Sequence, residues 1–243
     1  MTSNEYESIN APKDEVKEEK TISATQKFVA EFIGTAFLVF IVTGIPVFVK
    51  GYPYVVNGSF EAAFVLASMI YIFGRISGAH FNPAVTIPMF LRQKITLIEC
   101  GYYIGAQISG AFLGSILVGL CNYGEFKNLS GNQIPGNRGW DYASCFLIEV
   151  ILTFGLVFVI FASTIKANNF GNLTGFIVGI TLYFLGIAGA GISGGSLNPA
   201  RSIAPAILMA FKGEKEPLKD LWLYILAPII GGICAGYLNI LFE

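Results

Sequence analysis

Six apolar stretches, near residues 27–49, 59–77, 97–121, 141–165, 173–190 and 219–241, run through this chain almost without charge. Each reaches or approaches the roughly 20 residues that a helix needs to cross about 30 Å of hydrocarbon. No water is available there to hydrogen-bond the backbone, so stretches of this kind fold as membrane-spanning helices. Composition agrees: 54% of the 243 residues are hydrophobic and only 13% are charged, where a soluble protein carries about 25% charge. The net charge of -1 offers no basic patch, which excludes nucleic acid as a partner. Residues 1–24 are polar, mixed in charge and without the apolar run behind a basic start that a secretory signal requires, so they read as a disordered tail. Cys100, Cys121, Cys145 and Cys234 lie in or beside apolar segments without metal or redox spacing and read as small apolar residues. No nucleophile–base set or metal cluster stands out, so an enzyme is the least favoured class and no cofactor is expected.

A short box occurs twice. Asn82-Pro83-Ala84 and Asn198-Pro199-Ala200 each follow a Ser-Gly pair and each head an apolar segment too short to cross the bilayer. The repeat extends further: Glu31-x3-Thr35-x2-Leu38-Val39-Phe40 matches Glu149-x3-Thr153-x2-Leu156-Val157-Phe158, and Tyr103-Ile104 matches Tyr224-Ile225. Whole halves are therefore duplicated, the first over about 25–122 and the second over about 140–243, within one domain at 25–243. Each half holds three spans. That odd number sets the halves in opposite orientations, an inverted repeat about an axis in the membrane plane. The segment 78–92 must dip in and return, since Arg92 and Lys94 follow it. Irregular backbone at that depth is tolerated only where it is buried or lines a wet cavity. Asn is a good N-cap, and Pro suits the first helical position, where its missing N–H would be unpaired anyway. Two half-helices thus start near the midplane with their N-termini facing each other.

The two boxes, the run Ser-Gly-Ala-His-Phe-Asn-Pro-Ala-Val-Thr at 77–86, Asn-Pro-Ala-Arg-Ser at 198–202 and the glutamates of spans one and four resemble the aquaporin family of major intrinsic proteins. The resemblance covers about residues 27–241. It implies an all-α membrane protein, an aquaporin-like bundle of six transmembrane helices plus two re-entrant half-helices, acting as a passive channel for water and small neutral solutes. It also implies a homotetramer in which each protomer has its own pore. Asn82 and Asn198 would present amide N–H donors to the lumen. Arg201 would be the arginine of the outer filter, since a guanidinium at depth demands a watery or hydrogen-bonded site. Glu31 and Glu149 would be buried acceptors holding the re-entrant backbone, and His80, the only histidine, would make a structural hydrogen bond within its loop.

Counted from the boxes, the four filter positions of the family fall on Ala62, Gly186, Gly195 and Arg201. Strict water channels resemble Phe, His, a small residue and Arg at these places, and glycerol channels place aromatics at two of them. This chain has neither set. A wide constriction follows unless bulk from Phe60, Phe64 or Phe184 leans into the gap. Ser202 and Ala206 point the other way, to the water-channel pattern. The expectation is water permeation with passage of solutes of glycerol or urea size. A strict water channel narrowed by neighbouring bulk, a low-flux junctional protein of the same fold, and a secondary transporter with inverted repeats are the alternatives.

With both termini cytoplasmic, eight Lys and Arg lie inside and six outside, with Arg201 set apart in the pore. That is a weak positive-inside bias. The plasma membrane and an intracellular vesicle or vacuole membrane both fit. Asn128 lies in an external sequon, and Thr96 reads as a helix N-cap that a kinase would also reach.

Overall fold

The computed structural model describes residues 21–49, 54–135, 139–165 and 170–243. The expected polar tail falls, up to residue 20, outside these described residues. Among the described residues, eight α-helices form: α1 (Ala24–Phe48), α2 (Tyr54–Ser77), α3 (Pro83–Leu91), α4 (Leu97–Cys121), α5 (Gly139–Thr164), α6 (Thr174–Ala190), α7 (Pro199–Phe211) and α8 (Glu216–Leu238). Six of them, all but α3 and α7, are long and apolar enough to cross a membrane. They stand at the six expected stretches. The largest departure is α2, which begins at Tyr54 rather than near 59.

Local chemistry sets several ends. Ser23 caps α1 in a reciprocal box with Gln26, and Thr96 does the same for α4 with Glu99. In each case two backbone donors that the helix start leaves orphaned find side-chain acceptors.

The packing carries the duplication. α1 lies on α4 as α5 lies on α8; α1 meets α2 as α5 meets α6; α3 packs on α8 as α7 packs on α4. Exchanging the halves maps each of these pairs onto another, and α2 against α6 and α3 against α7 map onto themselves. Small residues permit the tightest crossings. A Cβ on Gly110 of α4 would collide with the Phe32 carbonyl oxygen of α1, and one on Gly231 of α8 would collide with the Val150 carbonyl of α5. Lipid tails are as apolar as leucine, so helices associate here through close packing rather than through expulsion of water.

At the centre, Phe81 and Leu197 from the two re-entrant loops meet Leu38, Leu66, Leu152, Leu156 and Val178 in one buried cluster. The two faces of the bundle can be told apart. Lys27 pairs with Glu99 at 2.6 Å, which sets the starts of α1 and α4 on one face. Glu243 pairs with Arg92 at 2.8 Å and Lys94 at 3.3 Å, which brings the residues after α8 to that same N-terminal face.

Candidate functional site

Both half-helices start as their sequence predicts, on an extended Asn followed by Pro at the first helical position. Asn82 Oδ1 accepts from the Ala84 N–H at 2.8 Å. Asn198 Oδ1 accepts from the N–H groups of Ala200 and Arg201 at 3.0 and 3.4 Å. Each amide nitrogen then crosses to the other loop: Asn82 Nδ2 donates to the Leu197 carbonyl at 2.7 Å, and Asn198 Nδ2 to the Phe81 carbonyl at 2.9 Å. An amide carries two N–H donors. One from each Asn ties the boxes together, a latch that the sequence expectation did not include, and both side chains also line one cavity.

The loops leading into the boxes run through left-handed backbone. Gly78, Ala79 and Phe81 in the first, and Gly194, Gly195 and Leu197 in the second, all have positive φ. Such a path leaves N–H groups that no helix can pair, and each one left unpaired in hydrocarbon costs several kcal/mol. The buried glutamates take them up. Glu31 accepts from Ser77 Oγ, the N–H of His80, the N–H of Phe81 and Gln107 Nε2, at 2.6 to 2.9 Å. Glu149 accepts from Ser193 Oγ and the N–H groups of Ser196 and Leu197, at 2.7 to 2.8 Å. Tyr103 and Tyr224 add hydroxyl donors to the carbonyls of Ser77 and Ser193. His80 Nδ1 lies 3.1 Å from Thr86 Oγ1, with its ring edge-on to Tyr103. The histidine is held inside its loop while also lining the cavity.

A cavity of 520 Å³ passes the boxes. At the N-terminal face it is bounded by Ile22, Lys27, Lys94 and Glu99, and it reaches Ser59, Gly186 and Arg201 toward the other. Asn82 and Asn198 both line it, as do Ala62, Gly186, Gly195 and Arg201. The structure therefore brings all four residues counted from the boxes to one cavity. It does not bring in the bulk that would have narrowed the expected wide constriction. Phe60, Phe64 and Phe184 are at least half exposed on the outside of the bundle, where Phe60 lies tilted against Phe64 with ring centres 4.3 Å apart. The reason is helical phase: residues two apart do not share a face, and each of these rings stands two positions from Ala62 or Gly186. The possibility that they narrow the constriction is corrected.

Two residues of this region escaped the sequence reading. Asn132, buried in the connection between α4 and α5, accepts from Arg201 Nη1 and from Ser202 Oγ through its Oδ1. Its segment is anchored in turn by Asp220, which accepts from the Ile134 N–H at 2.8 Å. Ser59 lines the cavity one turn before Ala62. Asn132 sits among Asn128, Asn122 and several glycines with nothing local to mark it, and Ser59 could have been found only from its helical spacing to Ala62. Thr96 is the N-cap of α4, and Asn128 is exposed.

The model of the major intrinsic protein family matches residues 18–239. The glycerol uptake facilitator protein-like 6 of Lactiplantibacillus plantarum is 39% identical over 214 residues, covering 87% of this chain and 95% of that protein. Nodulin-26 of Glycine max is 35% identical over 215 residues, covering 87% and 76%. Aquaporin Z of Rhodopseudomonas palustris is 30% identical over 223 residues, covering 87% and 91%. In fold, the chain is similar to the aquaglyceroporin from Plasmodium falciparum, with a TM-score of 0.79, 24% identity, and coverage of 89% and 96%. With six membrane-crossing helices, two half-helices latched at their Asn-Pro-Ala starts and this match over nearly its whole length, the chain belongs to the major intrinsic protein family.

Proposed function

We propose that this protein is a passive channel that conducts water and uncharged solutes of glycerol and urea size and excludes protons and ions. The observation that carries the reading is the wall around Arg201: Ala62, Gly186 and Gly195 line the same cavity with almost no side chain, and Phe60, Phe64 and Phe184 stand exposed on the outside of the bundle. A glycerol facilitator-like protein among the relatives supports it. In pores of this kind, selectivity comes from diameter, lining donors and half-helix dipoles.

Each half-helix start carries the equivalent of roughly half a positive charge, and Asn82 and Asn198 add their remaining amide donors at the same level. A water passing there turns its oxygen to both boxes and cannot hand a proton along the file. Arg201, fixed by Asn132, donates to a passing solute and repels cations. Glu31, Glu149 and His80 act at one remove by holding the loops. The channel domain spans 25–243 as two repeats, both termini are cytoplasmic, the protein assembles as a homotetramer with a pore in each protomer, and the membrane is the plasma membrane or that of a vesicle or vacuole.

Reconstituted vesicles test the class of transport. Flux should rise linearly with the solute gradient and be indifferent to sodium and proton gradients. Saturable, ion-coupled flux would instead identify a secondary transporter, and near-zero flux with stacked membranes a structural protein.

A further inference from the structure

The part of α2 that lines the cavity includes Ser59, Ala62, Leu66 and Ile70, spaced as one helical face. Ser59 is nearly buried, and Gly186 of α6 stands directly against it. A Cβ on Gly186 would lie 2.7 Å from Ser59 Oγ and 2.9 Å from Ser59 Cβ, closer than such atoms approach. On its other side Gly186 meets the second re-entrant loop: a Cβ on Gly195 would lie 3.4 Å from the Gly186 carbonyl oxygen. Ser59, Gly186 and Gly195 therefore make one continuous wall of the cavity that also holds Arg201. The room that a filter side chain on α6 would need is already filled from α2.

Without Ser59, the side chains of that wall offer no acceptor beside Arg201, and backbone carbonyls alone would accept. A guanidinium only donates hydrogen bonds, whereas a hydroxyl offers two acceptor lone pairs beside its donor. Ala62, Gly186 and Gly195 add no polar side-chain atom. We propose that Ser59 is a specificity-determining residue of the filter, standing in for the side chain absent at Gly186 and favouring uncharged solutes with several hydroxyls, which accept from Arg201 while donating to Ser59. This inference rests on the reading of the cavity as a wide-filter channel.

The test uses the full chain in reconstituted vesicles and two solutes of nearly equal size, glycerol and propanediol, which differ by one hydroxyl. Ser59→Ala should lower the glycerol-to-propanediol permeability ratio about three- to tenfold, the worth of one neutral hydrogen bond. An unaltered ratio, with the parent passing glycerol, overturns the Ser59 assignment alone. A parent that excludes both solutes overturns the wide-filter reading and the assignment with it. A second pair of variants covers the steric half. Gly186→His should conduct poorly because its Cβ collides with Ser59, while Gly186→His combined with Ser59→Gly should recover water flux and pass less glycerol per water than Ser59→Gly alone. Equal water flux through Gly186→His with and without Ser59→Gly contradicts the proposed complementarity.

Discussion

The two re-entrant loops share a scaffold and differ in what they hang on it. Both are held by a buried glutamate, a serine and a tyrosine hydroxyl, and both end on an Asn that caps a half-helix and reaches across to the other loop. They part three residues after the Asn. In the first loop Val85 packs with Met89, Val157 and Phe161. In the second, Arg201 takes that place and reaches Asn132. A further difference lies beneath them: Glu31 has Gln107 as an additional donor, whereas the repeat puts Pro228 at the matching position under Glu149. The shared parts solve the problem common to both halves, bringing irregular backbone into a bilayer. In the proposed function, the unshared parts make one end of the cavity the filter.

The largest effect should come from attacking the shared scaffold. Glu31→Ala strands four buried donors at about 1–3 kcal/mol each, enough to keep the protein from accumulating in the membrane. Glu149→Ala strands three and should be the milder of the two. Membrane yield and the thermal midpoint in detergent read the difference, and equal tolerance of both variants would break the comparison. Arg201→Val makes the second loop resemble the first at the position where they diverge. It should leave the fold in place and admit small cations, seen as a conductance in planar bilayers that the parent lacks. Asn132→Ala acts one step back by removing the acceptor that fixes the guanidinium. A hydrogen bond to a charged group is worth about 1.5–3 kcal/mol, so a lower thermal midpoint and a smaller cation leak than that of Arg201→Val are expected. A leak equal to that of Arg201→Val would mean that the guanidinium has no other hold.

The smallest effect belongs to the clamp on the N-terminal face. The hydrogen bond from Lys94, together with the positive charge of Lys94 and Arg92, holds the Glu243 carboxyl below its ordinary value of 4.5. A carboxyl lowered on folding stabilises above its unfolded value, and that contribution disappears as pH falls through the folded one. The thermal midpoint should therefore drop slightly below about pH 4.5, and Glu243→Gln should remove that part of the pH dependence. The group is exposed, and surface pairs contribute little.

What the sequence revealed of all this follows from range. Spans, caps and the paired boxes are local patterns, so Asn82, Asn198 and the six crossing helices could be read directly. The role of Glu31 and Glu149 came from the family resemblance, since a carboxylate in hydrocarbon also suits a proton relay. The cross-loop bonds of the two Asn, the grip of Asn132 on Arg201 and the contact of Ser59 with Gly186 join residues distant in sequence, and no local pattern announces them. The idea that Phe60, Phe64 or Phe184 narrows the gap failed on phase alone, since a ring two residues from a cavity-lining position faces the other side of its helix.

A vesicle shrink-and-reswell trace under an inward glycerol gradient tests the central claim most directly. Rapid shrinkage as water leaves, followed by fast reswelling as glycerol enters through the open wall around Arg201, is the expected result. Vesicles that shrink equally fast and stay shrunken, in glycerol and in urea alike, would contradict it.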